Sequence, residues 1–144
     1  MRQHVLVPVD GSSASEEALE HVLSEVSEAE ITLLHVVNPA SSFNYGGDDY
    51  FDAEGYQAHV EQQREDGKAL LEAYRETAAA RGVDVETALE AGKPARKILE
   101  RIEEDDMDRV IMGSRGRSGV GRVLFGSVAE AVTRRATVPV TIVR

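Results

Sequence analysis

The run GSRGRSGVGRVLFGSVAEAV, residues 113–132, gathers glycine, arginine and hydroxyl side chains within a chain of formal net charge −10. Arg115, Arg117 and Arg122 fall inside it, and no carboxylate appears before Glu130. Glycines let backbone N–H groups turn toward an anion with no Cβ in the way. A helix start adds unpaired N–H donors and the positive end of the helix dipole. Gly126 and Ser127 stand at the start of the helical pattern VAEAVTRRA, and Ser127 contributes a hydroxyl donor. These types and spacings point to anion binding, with phosphate the best match; a flexible surface turn is the plain alternative. The run is not a Walker A loop, because no Gly-Lys-Ser/Thr occurs in the chain. Nor is it the dinucleotide fingerprint: after Gly119 and Gly121 the third glycine is missing, and the run follows the fourth apolar segment rather than the first.

A second polar position is Asp10, directly after the apolar run VLVPV (5–9). A carboxylate there fits a ligand-binding role or an Asx-type turn before Gly11 and Ser12. A phosphoacceptor receiver needs a second acidic neighbour and an Asp after the third strand, whereas Gly11 and Ala91-Gly92-Lys93 occupy those places. Gly11-Ser-Ser-Ala-Ser partly fits a flavin phosphate loop, but the aromatic flanks and tryptophan are lacking. His4, His21, His35 and His59 have no metal-ligand spacing, and His35 reads as a packed strand residue. The absence of cysteine removes disulfides, thiolate chemistry and Cys-type zinc sites. No Ser–His–Asp set is evident, so no catalytic residue and no metal ligand is assigned.

The elements that must carry these positions alternate. VLVPV (5–9) is a strand pattern. SSASEEALEHVLSEV follows with Ala14, Ala18, Leu19, Val22, Leu23 and Val26 on one helical face, and Ser13 and Glu16 at capping-box spacing. ITLLHVV (31–37) is a second strand. A helix is expected over about 53–81, with Leu70, Leu71, Tyr74 and Ala78 inward and Gly82 ending it. VDVETAL (83–89) alternates like a half-exposed edge strand, and Pro94 opens a helix with Ala95, Ile98, Leu99 and Ile102 on its face. RVIMG (109–113) and VPVTIV (138–143) complete five strands, with Pro139 placing the last at an edge. The order βαβαβαβαβ predicts an α/β fold: one domain over 1–144, an open five-stranded parallel sheet with helices on both faces. In such sheets ligands sit outside the carboxyl ends of the strands, where strand order reverses. The segment NPASSFNYGGDDYFDAEG (38–55) is irregular, and either a surface loop or a lid is expected there.

Composition narrows the function classes. Twenty-six acidic against sixteen basic residues disfavours nucleic-acid backbone binding. The N-terminal MRQHVLVPVD lacks the apolar stretch of a signal peptide, and no run approaches the ~20 apolar residues of a membrane span. A cytoplasmic protein with no membrane contact is expected. Only Lys68, Lys93 and Lys97 are lysines, so the carboxylate surface also suits a salt-adapted cytoplasm; an ordinary acidic protein is the alternative.

The spacing Gly-x2-Gly-x9-Gly-Ser, as Gly113, Gly116, Gly126 and Ser127, resembles the ATP-binding motif of the universal stress protein family. VLVPVDGSSASEEAL, ITLLHVV, GKPARKIL, DRVIMGSRG and VPVTIVR resemble that family's segments in the same order, over nearly the whole chain. The resemblance implies a Rossmann-like fold of the adenine nucleotide alpha hydrolase type. It implies ATP as ligand, with Mg²⁺ or Mn²⁺ held through the phosphates. Gly113 and Gly116 would approach ribose and phosphates; Gly126, Ser127 and the Val128 backbone would bind phosphates. Asp10 would face ribose and base, Pro8 and Val9 would line the base site, Val36 would offer backbone hydrogen bonds to adenine, and Met112 would pack nearby. Arg115 and Arg117 occupy variable motif positions and rest on the charge argument alone. A homodimer through strand 138–143, with apolar Val138, Val140 and Ile142 on one face, is also implied. A stress-response or regulatory protein follows, with a slow ATPase or nucleotidyl-transfer enzyme and a nucleotide-free interaction module as alternatives.

If the carboxylate surface is a salt adaptation, melting temperature rises markedly between ~0.1 M and molar KCl, beyond the range where screening is already short. A flat curve in a thermal melt series leaves an ordinary acidic protein.

Overall fold

Val5, Leu6 and Val7 are all fully buried, as a strand covered on both faces requires. The computed structural model describes residues 2–39, 53–114 and 126–144. Its elements run β1 (His4–Pro8), α1 (Ser13–Glu25), β2 (Glu30–Val37), α2 (Ala53–Ala80), β3 (Val85–Ala91), α3 (Pro94–Glu104), β4 (Arg109–Gly113), α4 (Ser127–Arg135) and β5 (Val140–Val143). The strands form one parallel sheet in the order β3-β2-β1-β4-β5. One face buries Val5, Val7, Ile31, Leu33 and Ile111 against Leu19 and Val22 of α1 and Leu71, Tyr74 and Ala78 of α2. The other buries Leu6, Leu34, Val110 and Met112 against Ile98 and Ile102 of α3 and Ala129 and Val132 of α4. Among the described residues, no helix is long and apolar enough to cross a membrane. The expected lid at 38–55 falls largely on 40–52, outside the described residues.

Local chemistry accounts for the helix ends. Ser12, rather than the expected Ser13, caps α1: its hydroxyl accepts from the Ser15 N–H at 3.1 Å. The Ser13–Glu16 spacing gave a start one residue late, because Ser12 offers the same cap one position earlier. Gly82 ends α2 with φ +77°, and the Val83 N–H returns to the Ala78 carbonyl at 3.0 Å. Pro94 opens α3 in its first turn. Arg101 of α3 reaches Glu90 of β3 at 2.8 Å and Asp105 at 2.9 Å, holding that helix over the edge strand.

Both edges depart from expectation in detail. β3 begins at Val85 rather than Val83, with Glu86 and Thr87 exposed. β5 begins at Val140, while the Pro139 carbonyl accepts from the Val110 N–H at 2.9 Å. Val138, Val140 and Ile142 pack against the α3–α4 core cluster. They are half-buried, so part of their apolar surface is used within the chain.

Two residues shape the carboxyl end of the sheet. β1 pairs with β2 as far as Pro8↔Leu34, but with β4 only as far as Leu6↔Val110. By that register the next rung toward β4 would run from the residue 8 N–H to the Ile111 carbonyl, and proline has no N–H. Gly113 closes β4 against α1: a Cβ there would lie 2.6 Å from the Ala14 carbonyl oxygen.

Gly113→Ala forces α1 away from β4 and costs about 1–3 kcal/mol, since the obstacle is backbone. Gly82→Ala meets open space and costs only the left-handed backbone strain, about 1–2 kcal/mol. Urea denaturation measures both costs, and ligand titration separates the two variants: Gly113→Ala also disturbs any binding at this end, and Gly82→Ala does not. Equal stability of Gly113→Ala and wild type contradicts the packing.

Candidate functional site

Strand order reverses between β1 and β4. From β1 the chain goes to α1 and β2 on one side; from β4 it goes to α4 and β5 on the other. The helices that follow β1 and β4, α1 and α4, lie on opposite faces of the sheet at this switch point. The shortened β1–β4 pairing opens the sheet at the same place.

Side-chain alternation sorts the expected residues between the faces. Met112 belongs to the α3–α4 cluster, and Val36 and Val128 pack against it. Pro8 follows Leu6 of that cluster by two residues and shares its face. Pro8, Val36, Met112 and Val128 thus share one face at the carboxyl end of the sheet. Val9 places its side chain on the opposite face. Its side chain is buried in the α1–α2 cluster. Its N–H donates to the Leu34 carbonyl at 2.9 Å, and its carbonyl accepts from His35 Nδ1 at 2.7 Å.

Asp10 forms the turn that composition allowed. Its Oδ1 accepts from the Ser12 N–H at 3.0 Å and the Ser12 hydroxyl at 2.6 Å. Its own N–H donates to Ser15 Oγ at 3.0 Å, and the Tyr74 hydroxyl donates to the same oxygen at 3.1 Å. The β1–α1 loop is thereby tied to α2 through a buried Ser15. Burial pushes the Tyr74 phenol above its ordinary range, opposed by the Ser15 hydroxyl and the Gly11 backbone. Sequence reasoning placed Tyr74 inward but missed Ser15; a serine on the apolar face of α1, three residues past the cap, was the available signal.

Across the opening, α4 starts at Gly126, the N-cap, with Ser127 the first helical residue. The Gly126 N–H donates to the Ser114 carbonyl at 2.6 Å, and the Ser114 N–H to the Val143 carbonyl at 3.0 Å. Gly126 is thus tied through Ser114 to the end of β5. The Gly126 N–H is committed to Ser114. The first rung of α4 is Glu130 N–H to Gly126 carbonyl. The N–H groups of Ser127, Val128 and Ala129 lie before it and have no intrahelical acceptor. With the exposed Ser127 hydroxyl they form a donor set suited to phosphate oxygens. Gly113 is tight against Ala14, so its lack of a side chain serves packing on the α1 face. Arg115, Gly116 and Arg117 lie outside the described residues. Among the described residues, no group of three or more His, Cys, Asp or Glu side chains is placed to hold a metal ion.

The family model of the universal stress protein family matches residues 1–144. The universal stress protein YxiE of Bacillus subtilis is 34% identical over 148 residues, covering 100% of each chain. The universal stress protein UspA from Lactobacillus plantarum shares the fold at a TM-score of 0.84 and 22% identity, over 100% of this chain and 99% of its own. A universal stress protein solved in complex with cAMP is similar at a TM-score of 0.66 and 26% identity, over 99% of this chain and 96% of its own.

Tyr74→Phe removes one buried hydrogen bond and costs about 1 kcal/mol at neutral pH. The folded-state phenol lies above its ordinary 10.0, so the stability tied to the neutral phenol is present below that value. It is lost as pH rises through the ordinary value toward the folded one. Urea denaturation at neutral pH and above pH ~10 therefore gives a shallower alkaline loss in the variant than in wild type. Identical alkaline slopes contradict the buried, neutral Tyr74.

Proposed function

We propose, from the premise that this chain belongs to the universal stress protein family, that it binds ATP between the β1–α1 loop and the start of α4. In this reading it acts as a nucleotide-dependent stress-response or regulatory protein. The observation that carries it is the placement of the motif. Gly126 and Ser127 begin a helix at the strand-order reversal, and the Gly126–Ser114 bond holds the first-turn donors there. A similar protein bound to cAMP supports an adenine nucleotide as the ligand class.

The roles follow from the chemistry of each residue. The Ser127 and Val128 N–H groups and the Ser127 hydroxyl take phosphate oxygens, assisted by the helix dipole. Pro8, Val36 and Met112 offer an apolar surface to the base, and Asp10 faces the ribose. Gly113 leaves the backbone at the end of β4 close to the ribose, and the family motif gives Gly116 a role toward ribose and phosphate. Arg115 and Arg117 add positive charge beside the phosphates. Mg²⁺ or Mn²⁺ on the phosphates would neutralise their charge and needs few protein ligands. No general base is assigned, so binding and release rather than turnover is the reading. A two-fold homodimer through 138–143 belongs to the same reading, supported by β5 being a sheet edge.

Calorimetric titration with Mg-ATP tests the site. Ser127→Ala weakens binding about ten- to a hundredfold, through loss of one charge-assisted bond worth roughly 1.5–3 kcal/mol. Gly126→Leu blocks approach to the first turn. Arg115→Ala and Arg117→Ala lose most of their effect at high salt, whereas the Ser127→Ala effect persists. Wild-type affinity in Gly126→Leu places the ligand elsewhere.

A further inference from the structure

We infer that His35 is a positioning residue for base recognition: its ring takes the Val9 carbonyl that would otherwise pair with Val36, leaving the Val36 N–H and C=O to read the adenine edge. The inference rests on the adenine-nucleotide reading above and deepens it.

In a parallel ladder alternate residues of a strand present their backbone groups to opposite neighbours. Leu34 of β2 accepts from the Val9 N–H, so Leu34 and Val36 present theirs toward β1. Val37 accepts from the Gly92 N–H, so His35 and Val37 present theirs toward β3. The next rung after Val9 N–H to Leu34 would run from the Val36 N–H back to the Val9 carbonyl. Among the described residues that rung is not made, and the β1–β2 register ends at Pro8↔Leu34. His35, directly across from Val9, puts Nδ1 on the Val9 carbonyl at 2.7 Å instead. A carbonyl only accepts, so Nδ1 carries the proton in this contact.

Two further features serve this arrangement. A Cβ at Gly67 of α2 would lie 3.0 Å from His35 Cδ2 and 2.8 Å from Leu89 Cδ1. Glycine in the middle of a helix is unfavourable, and its presence is explained by the room it leaves for the Leu89 side chain and, beside it, the imidazole. Past Val9 the chain turns away from β2: the Asp10 N–H goes to Ser15, and Gly11 has φ +82°. The Val36 carbonyl therefore meets no rung from the β1 side either. Val36 then presents one donor and one acceptor on the same strand edge. Adenine offers the complement, an N1 acceptor beside an N6 amino donor. Hypoxanthine reverses both in the same pose, with a carbonyl at position 6 and a protonated N1. A mismatch of this kind leaves polar groups unpaired, which is where base discrimination comes from.

The test compares wild type, His35→Leu and His35→Gln, all first checked for folding by circular dichroism. Amide hydrogen exchange in the nucleotide-free proteins reads Val36 directly, and calorimetry reads ATP against inosine triphosphate. In His35→Leu the Val36 N–H pairs with Val9, its exchange slows about tenfold or more, and a wild-type preference for ATP of roughly tenfold falls to near parity. His35→Gln keeps a donor for Val9 and retains both wild-type behaviours. An unchanged Val36 exchange rate and an unchanged ATP preference in folded His35→Leu overturn the inference. Slow exchange at Val36 already in wild type overturns it as well, whatever the nucleotide result. Failure of wild type to bind ATP sinks the functional reading and the base-recognition role with it, while the exchange data alone decide whether His35 withholds the Val9 carbonyl.

Discussion

Pro8 stands at the carboxyl end of the central strand with no N–H to give to β4, and the consequences run through the molecule. A central strand normally extends its ladder on both sides. Here β1 stops pairing with β4 at Leu6↔Val110, two residues before it stops pairing with β2. The opening falls between the two strands whose connections leave in opposite directions. On one face α1 closes it, with Ala14 pressed against Gly113. On the other face Met112, Val36 and the start of α4 surround it. The sheet's own hydrogen bonding thus decides where the opening lies, and α1 decides which face of it is closed.

The β1–α1 loop and the two residues Ser114 and Gly126 are held more tightly than their glycine and serine content suggests. Ser12 caps α1 while its hydroxyl also donates to Asp10, and Ser15 links the Asp10 N–H to Tyr74 of α2. Gly126 is bonded to Ser114, which is bonded in turn to β5. Preorganised donors of this kind lose little entropy on meeting an anion, which favours binding over a loose basic loop. Surface ion pairs such as Arg75–Glu72 and Arg96–Glu100 add little by comparison, being exposed pairs within single helices.

Much of the fold was legible because its signals are local. Continuous apolar runs marked β1, β2 and β4, the αL glycine at 82 marked the end of α2, and Pro94 marked the start of α3. The strand edges were less legible. Val138 and Val83 read as strand by type, yet pairing starts at Val140 and Val85, because ladder length is set by the neighbouring strand rather than by propensity. At the candidate site, the motif residues Gly126 and Ser127 were found where the helix begins. Which face the Val9 side chain takes was not legible, because alternation alone does not say which helices cover each face. His35 read as a packed core residue, and nothing in a single sequence reveals that its ring would replace a backbone rung.

The central claim is that an adenine nucleotide enters from the α4 face of this opening. Backbone amide chemical-shift mapping by NMR during a Mg-ATP titration tests it most directly. Saturable shifts are expected at Val36, Met112, Ser127 and Val128, with α2 near Ala78 unaffected. Shifts confined to the surface of α2 or α3, or none at millimolar nucleotide, would contradict it.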